Sequence, residues 1–217
     1  LHVKNVTING YGKRYGGLGG IGGNGKEISG CTAEGVTIKS GTGKTSSETF
    51  ACGALLGYIS SNADIVIKNC TTKDIQLGEM CWNSSGFIGK MFGNTKVTVQ
   101  DCVPADGYCR SFLHLDGKVT PDDQVEYKLA PDGWNNSWFI GNLYNHPSKH
   151  FELIIKNVKD NSQNWTELNS NGNNADITDK EKDAFFSWPY ICTLDMYDQT
   201  PNALITVDGQ TVFPAAE

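Results

Sequence analysis

Several features that commonly reveal a protein's function are scarce or missing in this chain of 217 residues. It has no Cys-x-x-Cys pair, and its seven cysteines are an odd number, so neither a zinc site nor a complete disulfide framework is the first interpretation. No apolar run approaches the roughly 18 residues that a membrane-spanning helix needs, so we expect no such helix. No secretory leader is visible, and the chain opens on the strand-like run 1–8, so we interpret it as a mature fragment or an excised domain.

Clusters of basic residues are also missing. The 18 lysines and arginines are scattered along the chain and are outnumbered by 24 acidic residues, which gives a net charge of -6. A nucleic-acid surface needs clustered Lys and Arg side chains to contact the phosphates. The charge balance therefore argues against a nucleic-acid partner.

Proline is scarce, at 7 residues, whereas glycine is abundant, at 25. Hydrophobic residues make up 38% of the chain, which is enough for a core but low for a doubly wound α/β enzyme. The abundance of glycine, asparagine, serine and threonine favours many short strands joined by tight bends over long helices. We therefore predict an all-β fold.

A four-residue motif recurs along the chain at 3–6, 28–31, 67–70, 99–102 and 155–158. Each copy has a β-branched residue, a polar residue, then Asn, Gly or Asp, and finally Cys or Val. Residues three apart in a strand can both point inward only if the chain bends between them, and Asn, Asp and Gly tolerate the left-handed conformation of such a bend. The predicted corners are Asn5, Gly30, Asn69, Asp101 and Asn157.

A second motif alternates with the first in constant order. Its copies, at 18–21, 56–59, 88–91 and 140–143, read apolar, glycine, variable, apolar, and each is followed within a few residues by an asparagine. By the same reasoning, Gly57 and Gly89 are predicted to be corners with positive φ. A weaker third inward stretch follows two copies of the first motif, and its residues are Val36, Ile38, Ile75 and Leu77.

Two kinds of corner and three inward stretches predict a right-handed parallel β-helix, a solenoid of about five irregular, triangular coils. The repeats are expected over residues 1–158, with an inserted loop at 103–136 that contains a hairpin strand at 125–129. Residues 159–217 are expected to form a polar loop, a last coil and a C-terminal cap that covers the open strand edges. An ordinary β-sandwich is the alternative, but it does not explain the constant alternation of the two motifs.

The cysteines divide into two groups. One column of the predicted repeat, here called the cysteine column, contains Val6, Cys31, Cys70, Cys102 and Val158. Exchange with valine indicates that these thiols are small packing groups in the core. Cys52 and Cys192 lie outside this column, as do Cys81 and Cys109, which fall in loops of adjacent coils. A disulfide between Cys81 and Cys109 is an alternative to two free thiols in an oxidising compartment.

The second motif resembles a known repeat. Segments 54–57, 87–89 and 139–141, each followed later by Ile-Lys-Asn-Cys-Thr or a variant, look like the GLUG-type β-solenoid repeats of bacterial surface and secreted proteins. The resemblance covers approximately residues 1–158. It implies a β-solenoid at an extracellular or bacterial cell-surface location, as in adhesins, and it carries over no catalytic residue.

Aromatic side chains beside polar residues are the main indication of function. Three tryptophans in or beside predicted loops are predicted ligand-binding residues: Trp82, Trp134 and Trp138. Such rings pack on the C–H faces of sugars, although they equally well anchor long loops to a scaffold. In segment 109–116, we predict that Arg110, His114 and Asp116 form a polar binding face. The alternative interpretation is that these residues are only the solvent-exposed face of an edge strand.

These features predict a binding or adhesion module for a host or environmental glycan or glycoprotein. A structural spacer within a longer surface protein, with further coils of the same chain, is the alternative. A polysaccharide lyase or hydrolase is less favoured, because a glycosidase needs two carboxyls roughly 5 to 9.5 Å apart and no catalytic motif is visible. We predict no catalytic residue, no metal site and no cofactor.

Overall fold

The structure of the chain is a computed structural model that describes residues 1–10, 14–40, 51–77, 84–106, 113–115, 127–129, 139–143, 150–159, 166–168, 174–176, 192–194 and 202–213. All secondary structure within these residues is β-strand, which confirms the predicted all-β class. Over the same residues, no helix with the length and apolar character to cross a membrane is found.

The described parts of the chain contain 25 short strands. The first fifteen are β1 (His2–Lys4), β2 (Thr7–Gly10), β3 (Arg14–Gly16), β4 (Gly19–Ile21), β5 (Asn24–Ser29), β6 (Thr32–Glu34), β7 (Thr37–Ser40), β8 (Ala51–Gly53), β9 (Leu56–Ile59), β10 (Asp64–Lys68), β11 (Thr71–Lys73), β12 (Gln76–Leu77), β13 (Ser84–Ser85), β14 (Ile88–Met91) and β15 (Thr95–Gln100). The others are β16 (Val103–Asp106), β17 (Leu113–Leu115), β18 (Tyr127–Leu129), β19 (Ile140–Leu143), β20 (Phe151–Lys156), β21 (Thr166–Leu168), β22 (Asn174–Asp176), β23 (Cys192–Leu194), β24 (Ala203–Val207) and β25 (Gln210–Phe213).

The chain visits five sheets in a fixed order. Strands β1 to β5 each belong to a different sheet, and β6 to β10 and then β11 to β15 add one strand to each of the same sheets in the same order. We call each such passage a circuit, and the first three circuits span residues 2–29, 32–68 and 71–100. Corresponding strands of successive circuits pair in parallel, as β5, β10 and β15 do.

Later circuits keep part of this order among the described residues. Strand β16 joins the sheet of β1, β19 and β23 join that of β4, and β20 and β24 join that of β5. The resulting six-stranded sheet has five parallel strands, and β25 pairs antiparallel with the last of them. Strand β25 thus covers the open edge of β24, as a cap must do.

Each of the first three circuits contains five short strands, whereas the sequence indicated three inward stretches. The chain bends at Asn69, where φ is 53°, and again at Asp74, where φ is 51°. Strands β10, β11 and β12 are therefore separated by two left-handed bends where the motif predicted one. The second bend was missed because its residue lies outside the recurring four-residue motif.

The predicted left-handed corners of the first motif are confirmed. Asn5, Gly30, Asn69, Asp101 and Asn157 all have positive φ, with values between 46° and 61°. At four of these positions the side chain is Asn or Asp, which tolerates this conformation better than other residues with a Cβ. The N–H groups of the corners are used between circuits, as the Asn69 N–H donates to the carbonyl oxygen of the last residue of β15 at 3.1 Å.

The first copy of the motif does not align as the sequence predicted. Strand β1 pairs with β6, which places Asn5 beside Gly35, with φ 64°, instead of beside Gly30. Leu1, and not Val6, therefore begins the cysteine column, and its carbonyl oxygen accepts the N–H of the first residue of β6 at 3.0 Å. The error arose because both bends need a residue that tolerates positive φ, so their local sequences are alike.

The second motif is in register between β9, β14 and β19, but it does not form a corner. Gly57 and Gly89 lie inside β9 and β14 without positive φ, so the predicted corners at these two residues are wrong. A Cβ on Gly57 would lie 2.4 Å from the Tyr15 carbonyl oxygen, and one on Gly89 would lie 2.6 Å from the Cys52 amide nitrogen. These glycines are required because two backbones meet at very short range.

The core lies between the sheets and is almost entirely apolar. The fully buried inward side chains of β10, β15 and β20 include Ile65, Ile67, Val97, Val99, Leu153 and Ile155. The predicted third inward stretch is also present, since Val36, Ile38 and Ile75 are buried. The buried hydroxyl groups are hydrogen-bonded, as Thr72 Oγ1 is to the Gly86 carbonyl oxygen at 2.8 Å. This satisfaction of buried polar atoms is what a well-packed core requires.

Strand β5 forms the other edge of the six-stranded sheet and is irregular. Its register shifts at Gly25, where φ is 62°, and Lys26 lies beside Ile65 at a core-facing position. The Lys26 side chain is exposed, whereas the residues beside it in the ladder are buried. A bulge and an inward-facing charge both hinder the addition of another strand, so this edge is a poor template for pairing.

In the part of the chain that the structure describes, two antiparallel pairs occur outside the five sheets. Strands β17 and β18 pair within segment 103–136, which confirms the predicted hairpin strand for Tyr127–Leu129. Strands β21 and β22 pair within the segment that was expected to be a polar loop. The sequence did not indicate this second pair because neither strand has the alternating apolar pattern of a half-buried strand.

Candidate functional site

Most of the predicted ligand-binding residues lie outside the described residues, namely Trp82, Trp134, Trp138, Arg110 and Asp116. His114 lies in β17, and its backbone is beside that of Lys128 in β18. The predicted binding face of this segment and the tryptophan platforms therefore stay predictions. The alternative disulfide between Cys81 and Cys109 also falls outside the described residues.

A different group of side chains, which the sequence motifs did not indicate, comes together on the surface. We call Arg14, Tyr58 and Phe92 the Arg14 cluster. Arg14 Cζ lies 4.7 Å from the centroid of the Tyr58 ring and 4.8 Å from the centroid of the Phe92 ring. The two rings are nearly perpendicular, with an interplanar angle of 86° and centroids 6.3 Å apart. The guanidinium group therefore has cation–π contacts with both rings.

Strands of three circuits position the Arg14 cluster. Arg14 begins β3 in the first circuit, Tyr58 lies in β9 of the second, and Phe92 directly follows β14 of the third. The Phe92 N–H donates to the Ile59 carbonyl oxygen at 3.0 Å, which fixes the backbone that carries the ring. The Tyr58 ring occupies space beside Gly20, where a Cβ would lie 2.1 Å from Cε1 of that ring. Glycine at this position in β4 therefore makes room for the tyrosine.

Among the described residues, Arg14 differs in its partners from the lysines that form ion pairs. Three lysines form ion pairs with glutamates, at 2.8 Å for Lys4 and Glu34, 2.8 Å for Lys68 and Glu27, and 3.1 Å for Lys96 and Glu152. The hydrogen bond from Lys68 lowers the pKa of the Glu27 carboxyl below its usual value. Within the described part of the chain, Arg14 is exposed and its side chain contacts aromatic rings without a carboxylate partner.

Lys90 also contacts the cluster but is not accessible. Its Nζ lies 5.5 Å from the centroid of the Phe92 ring, and the residue is only 1% exposed. A buried ammonium group needs compensating interactions, and the ring supplies one of them. Lys90 therefore belongs to the support of the cluster, while Arg14 is the cation that a ligand can reach.

The cysteine column is a packing feature. Cys31, Cys70 and Cys102 are free and buried, which confirms their predicted location in the core. Each Sγ lies 3.2 to 3.4 Å from the carbonyl oxygen two residues earlier, to which the thiol donates. The hydrogen bond with Cys70, together with burial, raises the pKa of the Cys102 thiol. The same hydrogen bond lowers the pKa of the Cys70 thiol. The Cys102 thiol, with its raised pKa, is a poor nucleophile and a poor metal ligand.

Asp101 has a structural role at its corner. Asn157 Nδ2 donates to Asp101 Oδ1 at 2.6 Å, and Gln100 Nε2 donates to Oδ2 at 2.9 Å. These hydrogen bonds, the first being the larger cause, lower the pKa of the Asp101 carboxyl. Within the described residues, no group of three or more His, Cys, Asp or Glu side chains is arranged to hold a metal ion.

Comparison with models of known protein families, with characterised proteins and with solved structures gives no match for this chain. The resemblance to GLUG-type repeats therefore stays a prediction, and the function has to be argued from the chain's own side chains. The one sequence signal for the Arg14 cluster was the variable third position of the second motif. That position is Tyr58 in one copy and Lys90 in the next.

Proposed function

We propose that the protein is a right-handed parallel β-solenoid that serves as an extracellular or bacterial cell-surface binding module for glycans. The solenoid is supported by the fixed order in which the chain visits five sheets and by the parallel pairing of successive circuits. The right hand is the one that parallel crossover connections strongly favour. We assign the repeats to residues 1–158, and the last coil and cap to residues 159–217.

The observation that carries the binding proposal is the Arg14 cluster. Binding sites place a few polar groups on rigid elements beside apolar or aromatic surface. The cluster combines an exposed guanidinium with two partly exposed rings from successive circuits. A side chain that is already held loses less conformational freedom when it binds a ligand. In this proposal, Trp82, Trp134 and Trp138 supply further ring surfaces for sugars from the loops.

A spacer function is the competing proposal, because a spacer needs further coils stacked on an open strand edge. Lys26 and the bulge at Gly25 disfavour that addition at β5. A glycoside hydrolase would need two carboxyls directed into one groove. Asp101 instead has hydrogen bonds from Asn157 and Gln100 at a corner. We therefore propose binding without cleavage.

A glycan array probed with the purified 217-residue chain tests the proposal. We expect saturable binding to a subset of the immobilised glycans, without release of shortened products when the same glycans are incubated in solution. Release of oligosaccharides would instead indicate an enzyme. Failure to bind any glycan on the array would contradict the binding module and favour the spacer.

A further inference from the structure

Among the described residues, the exposed cations that have a side-chain partner are held in two ways. Lysines such as Lys68 and Lys96 lie against glutamates, so their charge is largely compensated by the protein itself. Arg14 lies against the rings of Tyr58 and Phe92. Aromatic rings attract a cation without neutralising it, so the full positive charge of Arg14 stays available to a ligand.

The donors of Arg14 are also available. A guanidinium group has five N–H donors in one plane, and its fork matches the two oxygens of a carboxylate. Within the described residues, no protein oxygen accepts a hydrogen bond from this side chain, and its partners are the two rings. The rings restrict the side chain at the surface, so a bidentate contact would cost less conformational freedom than at a free arginine.

We propose that Arg14 is an anion-binding residue and that the glycan recognised by the protein carries carboxylate groups, as uronic acids do. This inference rests on the proposed glycan-binding function and specifies its ligand. The net charge of -6 disfavours long, densely charged polymers, because they would approach an overall acidic protein. A short acidic oligosaccharide that presents a carboxylate to one cation fits this balance better than a heavily sulfated chain.

Calorimetric titration with three probes tests the chemical class. The probes are a trimer of galacturonic acid, the same trimer as its methyl ester, and a sulfated disaccharide of galactose, which carries sulfate groups but no carboxylate. We expect the free acid to bind about tenfold or more tightly than the ester, since the ester keeps the sugar rings but loses the charges. The affinity for the acid should also fall as salt concentration rises.

Matched variants test the residue. Arg14→Gln should weaken binding of the acid by about tenfold or more, and Arg14→Lys should weaken it less, because lysine keeps the charge but loses the planar fork. Lys73→Gln removes another exposed cation and should leave the affinity within about twofold. All three changes are at exposed positions, so unchanged melting temperatures will show that the fold is intact.

The outcomes separate this inference from the proposed function. If the protein binds neutral glycans on the array but binds the acid and its ester equally, the binding module stands and the carboxylate inference is wrong. The carboxylate inference is also wrong if only the sulfated probe binds. If Arg14→Gln binds the acid as the natural chain does, the assignment of Arg14 as the anion-binding residue is wrong. If no glycan binds at all, both proposals fail.

Discussion

Glycine occurs both at the left-handed corners and at the close backbone contacts inside β9 and β14. The comparison of these two regions shows that one residue type can satisfy two unrelated constraints. At the corners, represented by Gly30 and Asn69, the constraint is conformational: φ is positive, and a Cβ on Gly30 would meet nothing within 4 Å. Inside β9 and β14, the constraint is space. Gly57 and Gly89 have no positive φ, but a Cβ on Gly89 would lie 2.5 Å from the Gly57 carbonyl oxygen.

The difference determines which substitutions each region accepts. A corner accepts any residue that tolerates the left-handed conformation, which is why Asn and Asp replace glycine there. The close contact accepts a larger residue only where the neighbouring backbone adjusts. Ser85 is the larger residue beside Gly53, and its Oγ donates to the Ile88 carbonyl oxygen at 2.6 Å and accepts the Phe87 N–H at 3.1 Å.

The largest effect is expected for Gly89→Ala. The added methyl group would collide with backbone atoms of both Gly57 and Cys52, and backbone cannot move aside as a flexible side chain can. We expect the free energy of unfolding to fall by about 3 kcal/mol or more, as measured by urea denaturation. The matched control is Gly30→Asn, which adds a larger side chain at a corner and should change stability by about 0.5 kcal/mol or less.

Equal losses in Gly89→Ala and Gly30→Asn would remove the distinction between the two regions. A stable Gly89→Ala variant would show that β14 can separate from β8 at little cost. A large loss in Gly30→Asn would show that the corner at this position requires glycine for a reason other than its φ.

A smaller effect is expected at a corner, for Asn69→Val. Valine is strongly disfavoured at a φ of 53°, so the substitution should cost about 1 to 3 kcal/mol. Asn69→Gly is the control and should cost much less, because glycine adopts positive φ without strain. Thermal unfolding followed by circular dichroism compares the two. Similar melting temperatures for valine and glycine would contradict a conformational constraint at this corner.

The sequence predicted the corners of the first motif well and the close contacts of the second motif poorly, for a physical reason. Positive φ is a local property of the backbone, so the residue type at Asn69 or Asp101 reports it directly. The space around Gly57 depends on Tyr15, which belongs to another circuit, and no local pattern reports that distance. The register between two circuits is likewise not reported by any local pattern, which is why the sequence aligned β1 with the wrong bend.

The Arg14 cluster was not predictable for a related reason. Its three residues come from three circuits, and their contact depends on the register between strands. The sequence shows only that the third position of the second motif varies, as at Tyr58 and Lys90. A position that varies within an otherwise constant motif indicates a side chain that the repeat itself does not require. It does not identify which residues of other circuits that side chain contacts.

The smallest effect is expected for Asp101→Asn, which keeps the corner and changes only its charge. Asparagine occupies the equivalent corner at Asn69 and Asn157, so stability near neutral pH should change little. The hydrogen bonds from Asn157 and Gln100 lower the pKa of Asp101, so the ionised carboxyl stabilises the fold at pH values above its unfolded pKa. That contribution is lost as the pH falls through the folded pKa, in the range below roughly 4.

Urea denaturation at several pH values should therefore show a shallower loss of stability in acid for Asp101→Asn than for the natural chain. Identical acid profiles would mean that the carboxylate at this corner contributes no more than an amide, and that only φ matters there.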